Sequence, residues 1–322
     1  MQKAIGNVPQ AATTAATQDN HGLPVEMRVL VRGWLNCNQI LLADGDAHVL
    51  IDSGYHTHAE DTLALLQANT RRISRLINTH CHSDHIGGNA AVAAHYACPV
   101  TVSAMEAPSL DPWDDEAFWL GYTGQYTPRF RFTDTLSPGD TFFAGGTEWQ
   151  ALAAPGHSMG ALIFHSPESQ VLITGDALWQ HGMGVILPRE GDNPELEAAL
   201  DTLALIEKLP LQVVIPGHGE PFRDARRAVQ EARTRLLTFR SDVRKTARHF
   251  MKVMFVFSLL VKRSMRQDAA LAYILQVPVY NDLNRRFVGM PEAELGPALI
   301  RELQWAGAIG IADGVITPRM AA

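Results

Sequence analysis

Short apolar runs separated by turn residues open the chain, and their period changes along it. Residues 27–31, 39–43 and 48–51 are apolar runs of strand length. Asp44-Gly45-Asp46, between the last two, is a hairpin signal. Residues 60–68 place apolar positions at helical spacing, and residues 72–78 predict a strand. Residues 88–96 then predict a helix, residues 100–103, 149–153, 161–165 and 171–174 predict strands, residues 194–208 a helix and residues 212–215 a further strand. Hairpins followed by strand–helix alternation predict an α/β arrangement of sheets covered by helices.

The pattern breaks over residues 105–132. This stretch carries Trp113, Phe118, Trp119, Tyr122 and Tyr126 beside the acidic run Asp114-Asp115-Glu116. It reads as a partly helical insertion. Either it forms an aromatic wall for a substrate, with Trp113, Trp119 and Tyr122 as candidates, or it is a satellite apolar cluster under a long loop. His181 is a further candidate for that wall.

Beyond residue 222 the character changes again. Residues 223–248 are charged and helical in period. Residues 249–261 are strongly apolar, but Lys252 interrupts them and they are too short to span a bilayer, so they predict a buried helix. Residues 291–305 predict another helix that ends at Gly307. Ile309-Gly310-Ile311, Asp313-Gly314 and Val315-Ile316-Thr317 then make a hairpin pattern. Helices followed by a terminal hairpin are the layout of a winged-helix module. The chain therefore divides into an N-terminal arm (1–22), a body (23–222) and a mainly helical C-terminal module (223–322).

With 46% hydrophobic and 19% charged residues, the composition is that of a folded protein. Three cysteines form no close pair, and residues 1–20 lack the apolar core of a secretory signal, so a cytoplasmic setting is expected. The net charge of -7 conceals an asymmetry: 10 Lys+Arg against 25 Asp+Glu through Glu220, then 17 against 9 from Pro221 onward. A basic end beside an acidic body predicts an anionic partner or docking of the two parts on each other.

The densest chemistry lies in Thr79-His80-Cys81-His82-Ser83-Asp84-His85, at the end of a predicted strand. Neutral imidazole nitrogens and carboxylate oxygens are ligands for divalent metals. Four more motifs supply the same atom types at strand ends. They are Asp52 after Val49-Leu50-Ile51, His157 in Pro155-Gly156-His157-Ser158, Asp176 in Thr174-Gly175-Asp176, and His218 in Pro216-Gly217-His218-Gly219. A glycine beside each lets the backbone turn tightly, so the side chains can converge on two metal sites. Cys81 alternates away from its neighbours and reads as a small buried residue.

In order and spacing this set resembles the metallo-β-lactamase superfamily, over residues 27–221. The resemblance implies a four-layer αββα sandwich. It implies that His80, His82 and His157 hold one metal, that Asp84, His85 and His218 hold a second, and that Asp176 bridges them. Asp52 would orient the ligand loop, and Asp84 would be catalytic beside a metal-bound hydroxide held by Asp176. The implied cofactors are two divalent ions, zinc foremost, with iron or manganese as alternatives. The aspartate at 176 resembles the thioesterase and lactonase branches, including glyoxalase II-like enzymes, more than the zinc β-lactamases. No tyrosine follows within Ala177-Leu178-Trp179-Gln180-His181, a departure from quorum-quenching lactonases.

The implied activity is hydrolysis of a small ester, thioester or lactone. An anionic thioester is among the candidate substrates, with Arg223, Arg226 and Arg227 as candidate grips. The segment Glu302 to Ile309, with Gly314-Val315-Ile316, resembles the winged-helix extension of relatives that include endoribonuclease-like members. A metal-dependent ribonuclease or phosphodiesterase acting on nucleic acid is therefore one alternative, and a mononuclear-iron sulfur dioxygenase is another.

Overall fold

Turn chemistry and short apolar runs set the first sheet. The computed structural model describes residues 22–319, so the expected arm lies, except for Gly22, outside the described residues. Strands β1 (Met27–Leu30), β2 (Gln39–Asp44) and β3 (Ala47–Ile51) pair antiparallel. Helix α1 (Ala59–Asn69) crosses to β4 (Ile73–Ile77), which lies parallel to β3. The ligand run follows, partly as the single turn α2 (Ser83–Ile86) rather than a loop throughout. Helix α3 (Asn89–Tyr96) then returns to β5 (Val100–Ser103), parallel to β4. The insertion holds the short helices α4 (Ala107–Leu110) and α5 (Leu120–Thr123). Strand β6 (Asp134–Leu136) completes a sheet ordered β1-β2-β3-β4-β5-β6.

The second sheet is built from β7 (Thr141–Ala144), β8 (Thr147–Ala153), β9 (Leu162–Ser166), β10 (Val171–Gly175) and, after α6 (Pro194–Ile206), β11 (Val213–Pro216). Its order is β11-β10-β9-β8-β7, antiparallel except for the β10–β11 pair. The pattern reading passes over β6 and β7. The first has three residues, and the second presents only Phe142 and Ala144 inward.

The inner faces meet through Ile40, Val49 and Ile51 on one sheet and Trp149, Phe164 and Ile173 on the other. Leu66 and Val92 of α1 and α3 cover the outer face of the first sheet at Leu50 and Leu76. Leu203 of α6 and Val229 of α7 (Ala225–Ser241) cover the second at Leu172 and Val214. The result is the αββα sandwich, in which the central strands are buried on both faces and the helices on one.

The C-terminal region is helical. Helices α8 (Val243–Lys262), α9 (Gln267–Gln276), α10 (Pro278–Leu283) and α11 (Glu292–Trp305) surround a core of Phe250, Phe255, Leu259, Tyr280 and Leu299. Strands β12 (Met265–Arg266), β13 (Ile309–Ala312) and β14 (Val315–Pro318) form a small sheet ordered β12-β14-β13. The charged stretch after residue 222 is two helices, because Asp242 is extended and its side chain accepts from the Lys245 backbone N–H to start α8. Ion pairs join the basic part to the acidic body: Arg233–Glu207 (2.7 Å), Arg286–Glu190 (3.2 Å) and Arg240–Glu197 (3.5 Å). Among the described residues, no helix is long and apolar enough to cross a membrane.

Candidate metal centre

Asp52 follows β3, His80 follows β4, Asp176 follows β10 and His218 follows β11. The fold brings these strand ends together. His80, His82 and His157 each offer a ring nitrogen, all within 4.8 Å of one another. Asp84, His85, Asp176 and His218 form a second group by the same measure. The Asp176 carboxylate lies between the groups. One oxygen is 3.4 Å from His157 Nε2, and the other is 3.3 Å from His85 Nε2 and 3.6 Å from His218 Nε2. Two glycines permit this approach. A Cβ at Gly217 would sit 2.5 Å from Asp176 Oδ1, and Gly156 has a φ of +147° with Ala199 packed against it.

Hydrogen bonds behind the rings settle which nitrogen faces inward. His85 Nδ1–H donates to Asp52 at 2.8 Å, and His157 Nδ1–H donates to the Val185 carbonyl at 2.6 Å. Asp52 also accepts from the Thr79 backbone N–H (2.9 Å) and hydroxyl (2.8 Å), which pins the start of the ligand run. Asp52 itself is in the left-handed region, with φ 59°, so its carboxyl turns back over that run.

The donor set fits cations. His80 Nε2 is buried and has no hydrogen-bond partner, which in a native interior calls for an acceptor of its lone pair. His82 Nδ1 and His157 Nε2 face each other at 2.7 Å. Burial, then the neighbouring His157, pushes His82 down to about 3, and burial with His85 and His82 holds His80 well below its usual value. Both rings are therefore neutral, as ligands must be. Burial opposes the charge on Asp176, but His85 and His218 hold its carboxyl well below the usual range. Asp84 is also lowered: burial works against it, and the hydrogen bond from His218 prevails.

Residues 32–218 match the sequence model of the family described as the Metallo-beta-lactamase superfamily, more than half of the chain. The chain belongs to that superfamily. The fold of this superfamily binds divalent metals, typically two. Among curated proteins, the hydroxyacylglutathione hydrolase of Cereibacter sphaeroides is 30% identical over 184 residues, 56% of this chain and 63% of that one. Thioesterase pkgB of Emericella nidulans is 30% identical over 185 residues, 57% of this chain and 46% of that one. The chain thus spans less than two thirds of these relatives' own length. Among solved structures, TTHA1623 in a di-iron-bound form is similar at 28% identity and TM-score 0.52, over 64% of this chain and 98% of that one. The metallo-beta-lactamase family protein TTHA1429 of Thermus thermophilus shares the fold, with 18% identity and TM-score 0.56 over 91% of this chain and 99% of that one. That likeness in fold extends into the C-terminal helical region.

In this superfamily member the ligand groups open into a cavity of about 480 Å³ between the sandwich and α8. Trp119 stands over His82, with ring centroids 4.8 Å apart, and Tyr122 lines a second opening on the far side of Trp119, of about 940 Å³. The exposed His181 lies at the cavity rim, where it bonds Glu231. Trp113 is placed elsewhere: it packs with Phe118 and Phe130 in the cluster under the first sheet and lines neither opening. The insertion is thus part apolar cluster and part cavity wall. Arg223 and Arg227 line a separate pocket, with His181 and Phe222.

Several residues around the centre escape the pattern reading. Trp34 stacks on His218 (5.6 Å, 3°), and Trp179 meets both rings while donating its indole N–H to Asp176 at 3.1 Å. Asn38 donates to the carbonyls of Pro216 and Gly219 and braces the His218 turn. Glu106 from the insertion accepts from Ser158, beside His157. A tryptophan three residues past Asp176 was the one available signal. The others depend on contacts distant in sequence.

Proposed function

We propose that this chain is a dinuclear metal-dependent hydrolase of a small ester, thioester or lactone. The observation that carries the reading is the Asp176 carboxylate, with one oxygen toward the three-histidine group and the other toward His85 and His218. His80, His82 and His157 would hold one ion, Asp84, His85 and His218 the other, and Asp176 both. Two such ions would lower the pKa of a bound water and polarise a carbonyl. The chain's own groups do the rest. Asp52 fixes the His85 ring, Asp84 is an ionised carboxylate on the cavity side that can take up a proton, and Trp119 and Tyr122 bound the approach. The similarity to a hydroxyacylglutathione hydrolase and a thioesterase supports a thioester. Arg235 and Lys252 line the cavity and suit an anionic one, in place of Arg223, Arg226 and Arg227.

We read the C-terminal region as winged-helix-like, from β12-β14-β13 beside α8, α9 and α11, and as a wall of the site rather than a nucleic-acid grip. Arg233, Arg240 and Arg286 are engaged by acids of the body, which favours docking over phosphate binding.

The test is metal analysis followed by a panel of ester, thioester, lactone and phosphodiester substrates. About two zinc ions per chain and cleavage of carbonyl substrates, insensitive to salt, are expected. A single iron per chain, or salt-sensitive phosphodiester cleavage alone, would reverse the reading.

A further inference from the structure

Trp119 divides the approach to the candidate metal centre, with His82 and His157 facing both sides of it. One side opens between the acidic residues Asp114, Asp115 and Glu116 and the guanidinium of Arg189. The other is the 480 Å³ chamber roofed by α8. Its walls are Trp34, Trp179, Val253, Met254, Phe257 and Leu260. Water against such walls is displaced favourably by apolar surface, whereas an acetyl-sized group would leave most of the volume wet.

The charged groups of the chamber fall into two sets. Asp84 and Asp176 belong to the metal groups. The rest are Arg235, which is exposed, and Lys252, which is partly exposed, so both stand at the rim. Lys252 shares Glu302 with Arg248, so one carboxylate faces two cations there. His249, between them, is pushed down to about 4 by burial, then by Arg235 and Lys252, and adds no charge at neutral pH. The rim thus has an excess of positive charge across an apolar interval from the ligands. Hydrolysis adds water across the C–O or C–S bond, so the acyl half ends as a carboxylate, which cations retain, and the other half ends as a protonated alcohol or thiol, which they do not. The roofed side suits the half that stays.

Resting on the hydrolase reading above, we propose that this chamber binds the acyl half of the substrate, an apolar chain or ring ending in an anion that meets Arg235 and Lys252. The test uses the full metal-loaded chain and aryl esters with one common leaving group: acetyl, octanoyl and the half-ester of suberic acid. We expect kcat/KM to rise at least about tenfold from acetyl to octanoyl, and several-fold again for the suberoyl half-ester. Val253→Trp, which fills the chamber, removes the first gain. Arg235→Glu removes the second and spares the first. In parallel, quenching of tryptophan fluorescence by the free acids should rank suberate above octanoate above acetate, since Trp34, Trp119 and Trp179 line the space. If esters are cleaved but rates and acid binding are flat across the series, or follow only the leaving group, the proposal falls and the hydrolase reading stands. If no ester is cleaved while acid binding keeps the expected order, the hydrolase reading falls and the chamber assignment is supported.

Discussion

The two walls of the cavity are held by different forces. The sandwich wall consists of strand ends fixed by buried hydrogen bonds: Asp52 alone accepts from the Thr79 backbone, the Thr79 hydroxyl and His85. The α8 wall is held by apolar packing around Phe250, Phe255 and Tyr280, and it meets the sandwich through Trp119, Tyr122 and Leu187. A polar network dictates atom positions to tenths of an ångström, as metal chemistry requires. Packing dictates shape and volume, as selection among substrates requires. On the proposed function, reactivity belongs to the first wall and selectivity to the second, and each can be perturbed separately.

The largest effect is expected at Asp176, whose two oxygens approach both candidate groups. Asp176→Ala leaves buried imidazoles without their shared anion. Bound metal should fall by at least one ion per chain and hydrolysis by on the order of a thousandfold. Elemental analysis and steady-state rates check this, and full retention of both would remove the bridging assignment.

The opposite wall gives the complementary experiment. Phe250 is fully buried in the C-terminal core and touches Trp119, with centroids 5.6 Å apart. Phe250→Ala should cost about 3–5 kcal/mol, read by denaturant unfolding, while metal content stays at its wild-type value. Loss of metal in this variant would mean that the walls are not independent.

The same division explains what could be read from the chain alone. His80 to His85, His157, Asp176 and His218 stand at strand ends beside turn glycines, so local pattern brought them into view, and Asp52 with them. The sandwich was legible as short continuous apolar runs separated by clear turns, while the alternating β7 was passed over. Trp34, Arg235 and Lys252 were not legible. Each sits in ordinary loop or helix sequence and reaches the cavity only through packing between elements far apart in the chain. Trp113 shows the converse. Its neighbours in sequence made it look like Trp119, and both have a left-handed backbone at φ 60° and 57°, but Trp113 packs with Phe118 and Phe130 under the first sheet. Composition of a segment does not give the direction of its side chains.

A smaller effect is expected at Asp52. Asp52→Asn keeps the side chain's shape but removes the anion that holds His85 Nδ1–H. The ring loses its fixed orientation and part of its basicity, and metal affinity should weaken by about 10–100-fold. Competition against a chelator of known affinity measures this. An unchanged affinity would show that Thr79 and the backbone suffice to hold the run.

The smallest effect lies at the joint between α7 and α8. Asp242 ends one helix and caps the next, through the Lys245 N–H at 3.1 Å. Asp242→Ala should cost about 1 kcal/mol of stability. Asp242→Asn separates the two roles of the side chain, because an amide oxygen can cap while carrying no charge. Lys245 Nζ lies 3.8 Å from the carboxylate, in an exposed pair, and such pairs contribute little. The Asn variant should therefore recover most of what the Ala variant loses in denaturant unfolding. If it does not, the turn is held by charge rather than by the cap, and the start of the α8 roof depends on ionic strength, which would place an electrostatic element in the wall attributed here to packing.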